Sequence, residues 1–388
     1  MNKTKSILFI IESLHCGGAE KSLVTLLNNI DLTKYNVDLL ILKKGGEFEK
    51  FVPKEIEIKA IEVKESNFLG KFFLKMKFFI LRKIFENVHN AQLFWKAYSN
   101  QFINQKEEYD IAIAYNQGFS TYYTVEKVQA NSKFAWLNTD YKKAGYTISK
   151  DIYFYKKLNK VVCVSKENEA SFIKELNTVN TTIETTVIKD ITDKKVIEKL
   201  SREKTPENIS NENITSIVTV GRLAKAKGYE LAIEACSILI KSKLNVKWYV
   251  IGEGPERVNL EKLIATYKLE EHFILLGFKE NPYPYIKAAD IYVQTSLFEG
   301  LGLSVIEASF LNKPIVATNF PSVYNIIDDK KTGLITDMKP SAISAAVKLY
   351  INDDEFKTTI VNNLSSIENT DKEKSIEKIN NFILNLEK

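Results

Sequence analysis

The sequence of 388 residues contains only three cysteines and three histidines. Cys16, Cys163 and Cys236 form no CxxC pair and no cluster with histidine, which argues against a zinc site and favours reduced thiols. No run of about 20 apolar residues occurs, so the sequence predicts no transmembrane helix. The apolar run over residues 7–11 is too short for the core of a signal peptide. We therefore expect an intracellular protein that uses no metal or other cofactor.

The chain also lacks a strong charge of one sign, with 54 lysines and arginines against 49 aspartates and glutamates. A net charge of +5 without a basic stripe argues against nucleic-acid binding. The surplus lies in residues 1–190, which carry 28 basic and 22 acidic groups. Within them, residues 68–85 interleave basic with large apolar side chains, which is typical of a helix lying on an anionic membrane surface. A core helix with solvated cations fits the same pattern.

What the sequence does contain is a series of short apolar runs separated by glycine turns and helical patterns. Runs without alternation, such as residues 6–11, predict strands buried on both faces of a parallel sheet. A second series begins at residue 214, so we predict an α/β protein with two Rossmann-like domains facing a central cleft. The predicted parts are a first domain over 1–190, a polar linker over 191–213, a second domain over 214–370, and a C-terminal helix over 371–388 that packs back on the first domain.

In each of the two predicted domains, a glycine-containing motif follows the first strand. In residues 17–20, Gly18 lets backbone N–H groups approach an anion at a helix start. In residues 221–228, Arg222 offers a planar fork and Lys227 a compact positive charge, which together can neutralise a diphosphate without a metal. Taken alone, the first motif also fits a plain turn, and the second also fits solvated surface cations.

The third motif, residues 299–307, is the most specific. Gly300 and Gly302 expose backbone donors at a helix start, which suits a phosphate or a sugar hydroxyl. Glu299 lies in the turn, and Glu307 places a carboxylate on an apolar helix face, where it needs a hydrogen-bonding partner. Ribose hydroxyls or a neighbouring lysine or arginine would serve equally well.

In this order the three motifs resemble those of the retaining glycosyltransferases of family four, which have the GT-B fold. The G-G-x-E motif of that family matches residues 17–20, its G-R-L-x-x-x-K-G motif matches residues 221–228, and its E-x7-E motif matches Glu299 and Glu307. The resemblance is strong over about 214–335 and thinner over 1–190. It implies two facing domains, with the nucleotide-sugar donor bound by the second and the acceptor by the first.

The resemblance also implies a role for each matched residue. Arg222 and Lys227 would hold the donor diphosphate and stabilise the departing nucleoside diphosphate, while Glu299 would bind hydroxyls of the donor sugar. Catalysis would then consist mostly of placement and leaving-group stabilisation. The remaining donor-binding residues would be Gly18, Gly300, Leu301, Gly302, Leu303 and Glu307, of which Glu307 would bind the ribose.

One departure from the family lies in the first domain, where many relatives carry histidine near the donor sugar. Asn138 stands at one such position and Asn116 at another. Asparagine can donate a hydrogen bond but does not titrate near neutral pH. With Asp140 nearby, these three residues are candidate contacts to the acceptor or the sugar.

The resemblance therefore implies a retaining, metal-independent hexosyltransferase that uses UDP-hexose or UDP-N-acetylhexosamine. The expected acceptor is a lipid-linked glycan in bacterial capsule, exopolysaccharide or lipopolysaccharide assembly, and the expected location is the inner face of the cell membrane. Two alternatives stay open. Because the histidine is missing, the protein could instead be the non-catalytic, nucleotide-sugar-binding partner of a glycosyltransferase pair. Because sugar-nucleotide epimerases share the fold, an epimerase is the second alternative.

Overall fold

The computed structural model of the protein describes residues 5–15, 17–65, 67–204, 209, 213–367 and 371–384. These residues divide into two compact units. The first comprises the described residues of Met1–His15, Ala19–Ile191 and Lys374–Lys388, and the second comprises those of Cys16–Gly18 and Thr192–Glu373. Each unit is built on its own parallel β-sheet with helices, which confirms the predicted α/β class.

The sheet of the first unit has seven strands. Up to residue 191 its elements are β1 (Lys5–Ser13), α1 (Gly18–Leu27), β2 (Tyr35–Lys43), β3 (Glu57–Ala60), α2 (Phe68–Ile84), α3 (Asn90–Tyr98), β4 (Glu108–Ala114), α4 (Phe119–Lys127), β5 (Gln129–Leu137), α5 (Ile148–Tyr155), β6 (Lys160–Cys163), α6 (Lys166–Asn177) and β7 (Thr185–Val187). The strand order is β3-β2-β1-β4-β5-β6-β7. Residues 7–11 of the central β1 are all buried, which accounts for the unbroken apolar run in the sequence.

The sheet of the second unit has six strands, in the order β10-β9-β8-β11-β12-β13. The remaining elements of the chain are α7 (Lys194–Leu200), β8 (Thr215–Val220), α8 (Tyr229–Lys241), β9 (Val246–Ile251), α9 (Arg257–Tyr267), β10 (Phe273–Gly277), α10 (Tyr283–Ala288), β11 (Ile291–Gln294), α11 (Leu303–Phe310), β12 (Ile315–Thr318), β13 (Leu334–Thr336), α12 (Pro340–Asn352), α13 (Asp354–Ser365) and α14 (Asp371–Leu384).

The strand order reverses once in each sheet, between β1 and β4 in the first unit and between β8 and β11 in the second. In the second unit β8 and β11 pair directly, with Ile217 opposite Ile291. Ligands of open parallel sheets bind beside such a switch point, outside the carboxyl ends of the strands. The loops that follow β8 and β11 carry the second and third sequence motifs, so these motifs lie next to each other.

The segment over 191–213 differs from the predicted linker because it contains a helix, α7. The carboxylate of Asp193 caps this helix by accepting a hydrogen bond from the N–H of Val196 at 3.1 Å. Ile197 is buried in the apolar core of the second unit, where α7 packs against α10 and α11. Ile209, a described residue further along this segment, is buried in the same core, whereas residues 205–208 and 210–212 lie outside the described residues. The polar composition of the segment did not indicate these buried positions.

The C-terminal helix α14 belongs to the first unit from Lys374 onward. The ring of Phe382 packs edge-on against Phe134 of β5, with 4.8 Å between the ring centroids, and lies 6.0 Å from Trp136. Ile379 and Ile383 of the same helix are also buried. The last helix of the chain therefore covers part of the first sheet.

Helix α2 packs on α3 through Phe78, whose ring contacts Phe94 and Tyr98. None of its seventeen residues is buried. Eight large apolar side chains are exposed: Phe68, Leu69, Phe72, Phe73, Met76, Phe79, Ile80 and Ile84. In the part of the chain that the structure describes, neither α2 nor any other helix has the length and apolar character needed to span a bilayer.

Candidate functional site

Two hydrogen bonds to backbone carbonyls join the loops that follow β8 and β11. The N–H of Leu297 donates to the carbonyl of Ala226 at 2.8 Å, and the hydroxyl of Thr295 donates to the carbonyl of Lys227 at 3.0 Å. Gly228 has φ +57°, and a Cβ at this position would lie 2.4 Å from the carbonyl oxygen of Thr295. Only glycine permits so close an approach, which explains the glycine in the second motif.

This approach brings Lys227 and Glu299 together. The Nζ of Lys227 lies 2.5 Å from Oε1 of Glu299, and the two side chains are only 19% and 14% exposed. The hydroxyl of Ser296 donates to the same carboxylate oxygen at 2.6 Å. The sequence predicts that Lys227 and Glu299 both belong to the donor site, but it does not predict the ion pair between them. The ammonium group has three protons, so it can bind an anion while it keeps its bond to Glu299.

Arg222 lies at the open end of the β8 loop. It is exposed and forms no ion pair with any described residue, so its guanidinium is available to an anionic ligand. The adjacent Leu223 is buried, and its N–H donates to the carbonyl of Glu253 at 2.9 Å. The loop backbone is thus anchored while the side chain of Arg222 stays free to move.

The third motif forms the start of α11. Gly302, with φ +90°, precedes the helix, and its carbonyl accepts hydrogen bonds from Val305 and Ile306. The first turn of a helix presents N–H groups that favour a negative charge. Gly300 and Leu301 before it are buried, whereas Leu303 is half-buried at the first helical position.

Glu307 lies one turn further along α11 and is only 4% exposed. The hydroxyl of Tyr283 on α10 donates to its Oε1 over 3.4 Å, a long hydrogen bond. The hydroxyl of Tyr283 is thus one polar partner of the buried Glu307 carboxylate, as the place of Glu307 on an apolar helix face predicts. A carboxylate accepts several hydrogen bonds, so a ligand hydroxyl could bind to it as well.

The candidate residues of the first unit follow β4 and β5. The side-chain amide of Asn138 donates to the carbonyl of Tyr115 at 2.6 Å, and the carboxylate of Asp140 accepts from the N–H of Lys143 at 2.9 Å. The Oδ1 atoms of Asn138 and Asn116 are buried without a hydrogen-bond partner among the described residues. Buried acceptors without a partner are unusual in proteins, and the roles of Asn116, Asn138 and Asp140 as ligand contacts stay predictions.

Gly18, the remaining predicted contact, is the first residue of α1 and is exposed. A Cβ added there would meet no atom within 4 Å. The position therefore offers open space beside the start of a helix. The space suits an anion, and the backbone geometry itself does not demand glycine.

The three histidines make local contacts. His15 pairs with Glu47, the Nδ1 of His89 accepts from the N–H of Ala91 at the start of α3, and His272 contacts the carbonyl of Val246. Burial lowers the pKa of His89, because desolvation disfavours the charged ring. Over the described ranges no three histidine, cysteine, aspartate or glutamate side chains form a group that could hold a metal ion. Independence from metal stays a prediction.

Sequence reasoning missed two sets of buried polar residues. Tyr292, Gln294 and Ser296 form a hydrogen-bonded chain that ends on Glu299. In the first unit the hydroxyl of Ser22 on α1 bonds Asp190, whose pKa is raised to about 6 by burial. For the residues that lead to Glu299, the sequence offers one signal, which is the polar Gln294 at the end of the apolar run over 291–294.

The two parallel sheets with their helices define a GT-B fold. Anabaena Alr3699/HepE, solved in complex with UDP and glucose, superposes with a TM-score of 0.71 and 16% identity, covering 98% of this chain and 99% of that chain. Sucrose-phosphate synthase from Thermosynechococcus elongatus superposes with a TM-score of 0.70 and 16% identity over similar shares of both chains. At such identities the likeness shows the fold, and the predicted GT-B fold is confirmed.

The match to a protein family lies in the second part of the chain. Residues 201–365 match the family model described as glycosyl transferases group 1. The alpha-D-kanosaminyltransferase of Streptomyces kanamyceticus is 28% identical over 154 residues, which cover 39% of this chain and 40% of that protein. An N-acetylgalactosaminyltransferase acting on a diphospho-undecaprenol compound in Campylobacter jejuni is 31% identical over 148 residues, or 38% and 40% of the two chains. The matched part spans about two fifths of these curated relatives, and the predicted resemblance is confirmed over it.

Proposed function

We propose that the protein is a retaining glycosyltransferase that transfers a hexose or N-acetylhexosamine from a UDP-sugar. The observation that carries this proposal is the convergence of Lys227, Glu299 and the start of α11 at the switch point of the second sheet. A cation, a carboxylate and helix N–H groups are the partners that a sugar diphosphate needs. Anabaena Alr3699/HepE, which shares the fold, was solved with UDP and glucose.

In the proposed reaction the diphosphate is held by Arg222, Lys227 and the N–H groups of residues 300–303. The acceptor hydroxyl oxygen bonds to the anomeric carbon as the bond from that carbon to the diphosphate oxygen breaks on the same face. Because the new bond forms on the face that the diphosphate leaves, the configuration of the anomeric carbon is retained. The hydroxyl proton passes to the departing diphosphate. The cations stabilise the negative charge that develops on this leaving group.

The first test measures nucleoside-diphosphate release from a panel of UDP-, GDP- and ADP-sugars in the presence of a membrane lipid extract. We expect release from a UDP-sugar, with a loss of at least about 100-fold in Glu299→Ala. Glu230→Ala, an exposed glutamate at the start of α8, is the matched control and should keep full activity. NMR of the product then reports the anomeric configuration.

Each other outcome has a clear meaning. UDP binding without release from any donor would favour the non-catalytic partner of a glycosyltransferase pair. Conversion of the nucleotide sugar without transfer would favour the epimerase. Absence of nucleotide binding would overturn the whole proposal.

For the acceptor we propose a lipid-linked glycan of bacterial capsule, exopolysaccharide or lipopolysaccharide assembly. The support is the Campylobacter relative, whose name gives a diphospho-undecaprenol acceptor, and a core biosynthesis glycosyltransferase of lipopolysaccharide in Rhizobium meliloti that is 26% identical over 145 residues. Such an acceptor is anchored in a bilayer, so the enzyme would act at the inner face of the cell membrane.

Helix α2 is the surface that we propose for contact with anionic lipid. Its exposed apolar residues lie on the side opposite the face that packs on α3 through Phe78. Its charged side chains are all basic: Lys71, Lys75, Lys77, Arg82 and Lys83. An apolar face bordered by cations complements an anionic bilayer, because the apolar side chains enter it while the cations meet the headgroups.

Cosedimentation with vesicles tests this surface. Wild type should bind vesicles that contain phosphatidylglycerol and should bind phosphatidylcholine vesicles weakly. Phe72→Asp with Phe79→Asp should abolish binding, whereas Val258→Asp, an equally exposed apolar position in α9, should not. Equal binding by the α2 variant would contradict the proposal.

A further inference from the structure

A glutamine occupies the last position of β11, a strand whose other residues are Ile291, Tyr292 and Val293. The Gln294 side chain is completely buried. Burying an amide in an apolar sheet costs free energy unless its donors and acceptor are all engaged. The buried amide of Gln294 is therefore expected to form hydrogen bonds that offset this cost.

The amide is engaged at both ends. Its Oε1 accepts from the hydroxyl of Tyr292 at 2.7 Å and from that of Ser304 at 3.3 Å. Its Nε2 donates to the hydroxyl of Ser296 at 2.7 Å and to Oε1 of Glu299 at 3.3 Å. Since Ser296 in turn donates to Glu299, every donor in this chain points toward the carboxylate.

The donors converge on one oxygen of that carboxylate. Lys227, Ser296 and Gln294 all donate to Oε1 of Glu299, whereas Oε2 receives no hydrogen bond from a described residue. A carboxylate bound through one oxygen has a fixed plane and keeps the lone pairs of the other oxygen available. A sugar hydroxyl could therefore bind the second oxygen without displacing a hydrogen bond from the first.

We propose that Gln294 is a positioning residue that orients Glu299 toward the donor sugar. It acts by holding Ser296 and by keeping one carboxylate oxygen engaged, so that the other faces the substrate. This inference rests on the proposed function, because it needs Glu299 to bind the sugar. It adds a residue outside the sequence motifs to the proposed machinery.

The decisive variant is Gln294→Glu, assayed across pH. The ionised side chain can donate neither to Ser296 nor to Glu299, and it places a second negative charge beside Glu299. The protonated side chain has one O–H donor and a carbonyl acceptor, so it can restore one of the two donations that the amide makes. The titratable groups that face this position are Tyr292, Lys227, Glu299 and Glu307.

We expect kcat with the UDP-sugar to fall about 10- to 100-fold at pH 8 and to recover relative to wild type as the pH falls toward 5.5. Gln294→Met should be impaired at every pH, and Tyr292→Phe should be impaired less. The affinity for UDP alone should stay within about two-fold in each variant, because UDP lacks the sugar. A purely structural role would not produce recovery of kcat at low pH.

Gln92→Met, which removes a buried glutamine of the first unit, is the matched control and should leave the pH profile of kcat unchanged. Urea unfolding identifies any variant that fails to fold, in which case Tyr292→Phe carries the test. Wild-type kinetics in both Gln294 variants would overturn this inference and leave the proposed function intact. Absence of turnover by wild type with every sugar nucleotide would instead overturn the proposed function.

Discussion

Removing the charge of Asp190 should stabilise the protein in a way that depends on pH. Asp190 follows β7 and is buried, with the hydroxyl of Ser22 donating to its carboxylate. Burial raises its pKa from 3.8 to about 6, because the hydrogen bond from Ser22 offsets only part of the desolvation. The folded protein therefore binds this proton more tightly than the unfolded chain does.

The sign and size of the effect follow from linkage between protonation and folding. A folded-state pKa above the unfolded value contributes stability that is present below about pH 4 and is lost as the pH rises through about 6. A difference of about two pKa units corresponds to about 3 kcal/mol in the free energy of unfolding. Asp190→Asn keeps an acceptor for Ser22 but does not titrate, so it escapes this loss.

The assay is urea unfolding of wild type and Asp190→Asn at intervals between pH 4 and 7.5. The stability of the variant minus that of wild type should grow by up to about 3 kcal/mol across this range, mostly between pH 4 and 6. Asp337→Asn, at an exposed aspartate, should show a flat difference. A flat or shrinking difference for Asp190→Asn would refute the reasoning.

Three further experiments test the contacts around the site and of helix α14. Lys227→Met and Glu299→Gln should each destabilise by about 2 kcal/mol, while the double variant should cost about 1–3 kcal/mol less than the sum, as a double-mutant cycle in urea would show. Gly228→Ala should lower stability by more than about 1 kcal/mol and weaken UDP binding in calorimetry, because its Cβ would meet the carbonyl of Thr295. Phe382→Ala should lower the free energy of unfolding by about 2 kcal/mol, because the half-buried ring loses its contact with Phe134, and unchanged stability in urea unfolding would show that α14 does not support the first sheet.

The central strands could be predicted from the sequence because they are buried on both faces. Residues 7–11 in β1 are apolar without alternation, and the sequence predicts a strand there. The edge strands β3, β7 and β13 escaped notice. They have three or four residues each, and only one neighbouring strand pairs with each, so no long apolar run marks them.

The charged residues of the site could be predicted because motif spacing identifies them, but their contacts could not. Lys227 and Glu299 are 72 positions apart, and the close approach that pairs them depends on the pairing of β8 with β11. Ser22 and Asp190 are separated by 168 positions. Contacts between such distant residues follow from strand order, which local periodicity does not specify.

The polar groups at the switch point of the second sheet explain how a charged site can exist before a ligand binds. Lys227 and Glu299 are both largely buried, and such a pair is costly to desolvate unless further hydrogen bonds satisfy its atoms. Ser296 and Gln294 supply these bonds to Glu299, and they do so through side chains that are themselves completely buried. Because the carboxylate is held before the donor arrives, its orientation costs little when the sugar binds, and the ammonium protons of Lys227 that Glu299 does not use remain free for a diphosphate.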